Sequence, residues 1–296
     1  MEKKKRSLAP LWSLPSLIYV GIFLIIFPAG YNFYLSLFQY SFLTGAPPRF
    51  IGLDNYKTLL FESPEYINSL LVMLIIAFGA LAVELVLAMM LALFLNQNFK
   101  GRAAVRTMMI LPLGSIPVIN AFMFKHLFFP DASPITAIFN YLGLAHGEIP
   151  WLLNSTLARI AVISVDVWQW TPFIMIILLA GLSSIPQSFY ELARLDGLSN
   201  WKIFWRITLP KLKAPLALAL LIRLMDLFKF FDGVFAMTQG GPQSATETAS
   251  YFIFRMGFRT YNIGWSAAAS IIIWAIIFVI AILFIRQFFS QEKATA

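Results

Sequence analysis

Residues 67–95 read INSLLVMLIIAFGALAVELVLAMMLALFL, a run whose only ionisable side chain is Glu84. A helix needs about 20 apolar residues to cross a hydrocarbon core of ~30 Å, and this run exceeds that. Its apolar residues do not alternate with polar ones, so it is not a barrel strand. Five further runs meet the same standard, giving expected spans near 14–37, 67–95, 103–129, 155–182, 214–237 and 263–289. The composition agrees. Hydrophobic residues make up 59% and charged residues 12%, where soluble domains carry about 25% charged. The mean hydropathy is +0.77. The expected fold is all-α, a polytopic membrane protein with six transmembrane helices. Its domains are a cytoplasmic N-terminal tail (1–13), one membrane domain (14–290) and a cytoplasmic C-terminal tail (291–296).

Orientation follows from the placement of lysine and arginine. One set of segment ends holds Lys3, Lys4, Lys5, Arg6, Lys100, Arg102, Arg106, Arg194, Lys202, Arg206, Lys211, Lys213, Arg286 and Lys293. The other set holds Arg49, Lys57, Lys125, Arg255 and Arg259. Fourteen against five places both termini in the cytoplasm and residues 39–66, 130–154 and 238–262 outside. The first run is too long for a signal-peptide core, and Pro28, Tyr31, Asn32 and Tyr34 make a poor cleavage site. It is read as a retained span. The net charge of +8 therefore reflects topology. Nucleic-acid binding would need the basic residues gathered on one solvated face, and they are scattered.

Enzyme chemistry has little to work with. There is no cysteine, and the only histidines are His126 and His146, so no metal site and no catalytic residue is expected. The P-loop, G-x-S-x-G, H-E-x-x-H and G-x-G-x-x-G patterns are all missing from the sequence. Transport is the expected work.

The loop 183–213 carries the sharpest pattern. Ser184 and Pro186 suit a helix start, and Gly197 suits a helix stop. A second short helix is expected to open at Ser199 or Asn200 and to end before Pro210. Trp201, Phe204, Trp205 and Thr208 then fall on one stripe, which fits a helix lying in the headgroup region.

Glu191-x-Ala193-x-x-x-Gly197, with Ile207-x-Leu209-Pro210 ten residues on, resembles the EAA loop of ABC importer permeases. Leu192 and Leu198 stand where that pattern usually has alanine. The segments 50–56, Leu111-Pro112, Trp168-x-x-x-Pro172-Phe173 and 238–242 are similar to carbohydrate importer permeases of the maltose type. The resemblance implies the ABC type I importer permease fold in a prokaryotic cytoplasmic (inner) membrane. It implies docking on an ATPase through Glu191, Ala193, Asp196, Gly197, Ile207, Leu209 and Pro210. The implied partners are a second homologous permease subunit, two ATP-binding subunits and an external solute-binding protein. No cofactor is implied in this chain, with ATP and Mg on the partner subunits. It also implies a sugar path along Leu113, Gln169, Trp170, Phe173, Arg223, Asp226, Leu227 and Phe230.

In the fifth span Arg223, Asp226, Lys229 and Asp232 follow each other at i+3 steps. They are either internal ion pairs, Arg223 with Asp226 and Lys229 with Asp232, or part of a sugar path. Arg223 with Lys229 leaves an anionic sugar open. Glu84, Asp166 and Arg159 are read as structural. The rival reading is a secondary transporter or channel using the intramembrane Asp and Lys residues as an ion relay.

The chain lacks cysteine, so single introduced thiols report topology without background. Ser199→Cys should be shielded from a membrane-impermeant thiol reagent in intact cells, and Ser244→Cys should react. Reversed labelling overturns the orientation.

Overall fold

The computed structural model describes residues 19–129 and 133–289. The two tails, Leu14–Ile18 of the first expected span, and the turn at Pro130-Asp131 lie outside the described residues.

The described chain forms two compact units. One gathers the residues up to Pro64 with Ile253–Trp274, and the other gathers Glu65–Phe252 with the residues from Ala275 onward. The principal helices are α1 (Phe27–Ser36), α2 (Pro64–Asn96), α3 (Arg102–Ile110), α4 (Pro117–Leu127), α5 (Ser155–Ser183), α6 (Gln187–Leu195), α7 (Asn200–Ile203), α8 (Lys213–Leu227) and α9 (Ile263–Phe289). Strand content among the described residues is one antiparallel ribbon, β1 (Phe38–Gln39) with β2 (Arg49–Phe50). Three helices, α2, α5 and α9, are long and apolar enough to cross a membrane.

In the second unit, α2 presents Ala80, Glu84, Ala88 and Ala92 at fully buried positions four residues apart. Small side chains at that spacing let helices approach closely where lipid offers no hydrophobic drive. Ala88, Ala92 and Leu95 pack with Ile174, Met175, Leu178 and Leu182 of α5, and Ala219 of α8 joins them. Ala77 and Ala80 meet Val167 and Leu227. Pro172 stays inside α5 without breaking it.

Two expected spans differ from the sequence reading. The third is not one straight helix: α3, with the tight turn that follows it, and α4 meet at 99°. Ser115 and Ile116 are extended, and Pro117 offers no N–H to continue the ladder. The Ser115 hydroxyl donates to Pro112 O (2.5 Å), and the Gln169 amide donates to Ser115 O (3.2 Å). The fifth span is also broken. Helix α8 ends at Leu227, and helix resumes only at Asp232. Irregular backbone survives at membrane depth only where its polar groups find partners inside the protein. Here the Ser250 hydroxyl donates to Phe228 O (3.3 Å) and the Thr248 hydroxyl to Phe230 O (3.1 Å). Arg223, Asp226, Lys229 and Asp232 therefore do not share one helix.

In the first unit, Ile263 N and Gly264 N both donate to Tyr40 O, at 2.9 and 3.1 Å. The start of α9 thus lies flush on the ribbon. A Cβ at Gly264 would overlap the Phe38 carbonyl oxygen, with Asn55 Nδ2 also close. Gly264→Ala should lower thermal stability by about 1–3 kcal/mol, the usual cost of forcing atoms into packed space. An unchanged melting temperature would contradict this packing.

Candidate functional site: a buried charge cluster beside a polar pocket, and an exposed helical loop

The fully buried guanidinium of Arg223 on α8 joins carboxylates from three helices. Its Nε and Nη2 donate to the two oxygens of Glu84 on α2 at 2.9 and 2.7 Å. Nη2 also donates to Asp166 Oδ2 on α5 at 2.6 Å, and Nη1 to Asp226 Oδ2 at 2.6 Å. The planar fork of arginine suits such two-pronged contact in a way that lysine cannot match. A charge at membrane depth costs several kcal/mol unless paired; here every face of the cation is engaged. The Trp170 ring lies 5.1 Å from Arg223 Cζ and covers it.

Glu84 and Asp166 are thus not isolated structural acids. They are the principal anchors of Arg223, a pairing across helices that no local spacing announces. The expected Arg223–Asp226 pair is present, but the expected Lys229–Asp232 pair is not among the ion pairs of the described residues. Arg159 acts elsewhere, its Nε donating to Ala245 O at 2.7 Å. That bond fixes the loop in which the Thr238 and Thr246 hydroxyls share a 2.7 Å hydrogen bond.

Beside the cluster lies a polar pocket of about 210 Å³. Of the residues expected along a sugar path, Gln169, Trp170, Asp226 and Phe230 line it. Arg223, Leu227, Phe173 and Leu113 do not. Arg223 sits behind Asp226, holding it. Leu227 is buried against Ala77, Ala80 and Val167, and Phe173 packs on the α2–α5 core. Gln169 is largely committed to the break between α3 and α4 through Ser115 O. The pocket also contains Lys229 and Asp232, which the charge spacing offered as part of a sugar path, together with Asp166, Phe231 and Gly233, which sequence reasoning missed as lining. For the missed residues the one local signal was Gly233, closing a run that the i+3 charge spacing disguised as continuous helix.

The loop between α5 and α8 has a separate geometry. Helix α6 starts at Gln187 after Pro186, without a side-chain cap. It ends in a two-bond αL cap: Leu198 N donates to Ala193 O and Gly197 N to Arg194 O, both at 3.0 Å. Gly197 has φ +73°, a conformation that costs glycine little and other residues more. Ser199 caps α7 through Lys202 N (3.4 Å), as expected. The following helix does not stop before Pro210. It widens into a π-type turn over Phe204–Thr208 and runs on through Lys211, because the wider turn accommodates the proline ring. The Lys211 ammonium lies 4.4 Å from the Phe189 ring centre, tying the two halves of the loop together. Ala193 is buried, whereas Glu191, Asp196, Phe189, Leu192 and Leu195 are exposed, Leu195 at 84%. Ile207 and Leu209 are half-buried, and Pro210 is exposed.

The family described as binding-protein-dependent transport system inner membrane component matches residues 84–291, a stretch containing both the cluster and the loop. The chain belongs to this family and is a multi-pass membrane permease component of an ABC importer, a transport subunit and not an enzyme. It is 34% identical over 265 residues to the trehalose/maltose transport system permease protein of Thermococcus litoralis, covering 89% of this chain and 86% of that protein. It is 32% identical over 268 residues to the sn-glycerol-3-phosphate transport system permease protein of Agrobacterium fabrum, covering 89% and 88%. Among solved structures, it is similar to a bacterial ABC transporter involved in the import of the acidic polysaccharide alginate. That likeness has a TM-score of 0.79 at 26% identity over 97% of this chain and 98% of the other. The all-α permease fold is therefore as expected. Family membership sets aside the secondary transporter or channel.

The geometry separates two substitutions at the cluster. Arg223→Met strands Glu84 and Asp166 at full burial, and breaking a buried pair in this way costs about 3–5 kcal/mol. Asp226→Asn leaves the cation with both other carboxylates. Arg223→Met should therefore accumulate as assembled complex at clearly reduced yield, while Asp226→Asn should assemble at close to the unmodified level by size-exclusion chromatography. Equal loss in both would contradict the hierarchy.

Proposed function

We propose that this chain is one of two homologous permease subunits of a sugar importer, working with two ATP-binding subunits and an external solute-binding protein. ATP and Mg sit on the partner ATPases. Both termini face the cytoplasm in a prokaryotic inner membrane, and six spans lie within residues 14–290. The observation that carries the reading is the exposed face of α6, with Phe189, Leu192 and Leu195 outward and a glycine-dependent cap at Gly197. Glu191, Asp196, Gly197, Ile207, Leu209 and Pro210 form the coupling surface, with Ala193 buried beneath it as packing. In this scheme ATP-driven closure of the ATPases moves the loop as a rigid body and turns the pore outward. Hydrolysis returns it. The physical requirement is a two-state element on which nucleotide and sugar each have a preferred state.

The substrate class follows from the pocket and from the relatives. Trp170 supplies an aromatic face, Asp226 a half-exposed acceptor, and Lys229 a donor on the unwound backbone. Such a mixture replaces the water shell of a polyhydroxylated ligand. The relatives' printed substrates, trehalose/maltose, sn-glycerol-3-phosphate and alginate, support a sugar or sugar-derived solute.

The test is Gly197→Pro in the reconstituted complex. Proline cannot adopt φ near +73° and removes the N–H bonded to Arg194 O. ATP hydrolysis should persist in the assembled complex, while uptake of the binding protein's ligand falls by roughly tenfold or more, as for 1.4 kcal/mol of lost coupling. Assembled complex transporting at the unmodified rate would refute the coupling role. Failure of the chain to co-purify with an ATP-hydrolysing subunit would refute the importer.

A further inference from the structure

The membrane pocket contains two cations in its neighbourhood, and an anionic sugar would need at least one of them. Arg223 is not available. It is 1% exposed, its donors are directed at Glu84, Asp166 and Asp226, and the Trp170 ring covers it. Two carboxylates of this cluster line the pocket, Asp166, which is almost wholly buried, and Asp226, whose side chain is 42% exposed. Arg223 Nη1 holds Asp226 Oδ2, and the second carboxylate oxygen remains to accept hydroxyls. Lys229 is the remaining cation, and it lines the same small cavity as Asp226 and Asp232. Four carboxylates, Glu84, Asp166, Asp226 and Asp232, stand against Arg223 and Lys229. The field at the ligand is that of an acceptor site.

From this we infer, resting on the sugar-import reading, that the pocket selects uncharged or amino sugars and polyols, and rejects sugars carrying a carboxylate, phosphate or sulfonate. Asp226 is the specificity-determining residue: it accepts hydroxyl or ammonium hydrogens and repels an anion placed at the same point. Asp232 adds to the repulsion. Like charges brought together at a binding site cost several kcal/mol, so discrimination of at least about tenfold is expected. The inference places this chain, by ligand charge, with the trehalose/maltose relative and apart from those named for sn-glycerol-3-phosphate and alginate. The arginine that the sequence offered as an anion anchor is consumed inside the protein.

Two measurements test it. The first is a thermal-shift screen of the cognate binding protein with neutral sugars, polyols, amino sugars, uronic acids and sugar phosphates. A neutral or amino ligand is expected, and an acidic ligand overturns the inference while leaving sugar import intact. A solute with no sugar or polyol character removes the reading beneath it. The second is ligand-observed NMR saturation transfer with the complete importer in nanodiscs, using glucose and glucuronate as a pair of nearly equal size differing by one carboxylate. Glucose should bind at least about tenfold better than glucuronate, and Asp226→Asn with Asp232→Asn should narrow the gap in assembled complex. Glucuronate binding as well as glucose, or a gap unchanged by the double substitution, overturns the inference. Binding of neither probe counts against the sugar reading itself.

Discussion

The guanidinium of Arg223 is the constraint around which the second unit is organised. It lies at membrane depth, where an unpaired cation is untenable, and three helices each contribute a carboxylate to it: Glu84 from α2, Asp166 from α5 and Asp226 from α8 itself. The alanine positions on α2 bring the helices close enough for those contacts, and the contacts fix how far each helix can slide. A buried ion pair is weak support for stability by itself, because desolvation offsets the attraction. Its clearer consequence is specificity of arrangement. A helix shifted by one residue would leave a carboxylate or the arginine stranded.

The pocket inherits its geometry from that cluster. Asp226 is held on one oxygen by Arg223 and presents the other outward. Trp170 covers the cation and lines the cavity at the same time. The unwound stretch from Phe228 to Phe231 would be costly in lipid, yet its carbonyls are bonded by Ser250 and Thr248. Lys229 on the unwound stretch and Asp232 just after it both line the cavity. The loop between α5 and α8 follows a different logic, in which a glycine cap fixes the end of a helix whose apolar face is exposed.

Much of the fold was legible in the sequence because lipid imposes a simple code of length and apolarity. The long runs behind α2, α5 and α9 declared themselves. Pro112, Gly114 and Pro117 stand at the break in the third span, but its apolar run read as one crossing, and the 99° bend was not legible. Gly197 was legible because a left-handed cap demands it. The break in the fifth span was hidden, since charges three residues apart look like one helix side and the hydroxyls that satisfy the break lie some twenty residues on. The roles of Glu84 and Asp166 were equally hidden, because their partner is 139 and 57 residues away in the chain. Of the expected path residues, those facing the cavity are the ones whose neighbours are polar. Leu227, Phe173 and Leu113 were carried by the resemblance and lie outside it.

The central claim is that Arg223 and its carboxylates act as one structural unit. A double-mutant cycle between Glu84→Gln and Arg223→Met, read as the unfolding free energy of the nanodisc-embedded complex, tests it directly. Residues in one ion-pair network show interaction energies of about 0.5–3 kcal/mol. The account predicts strong non-additivity, with the double variant more stable than the sum of the two losses allows by about 2 kcal/mol or more. Losses that add within about 0.5 kcal/mol would mean the two residues are energetically independent, and would contradict the account.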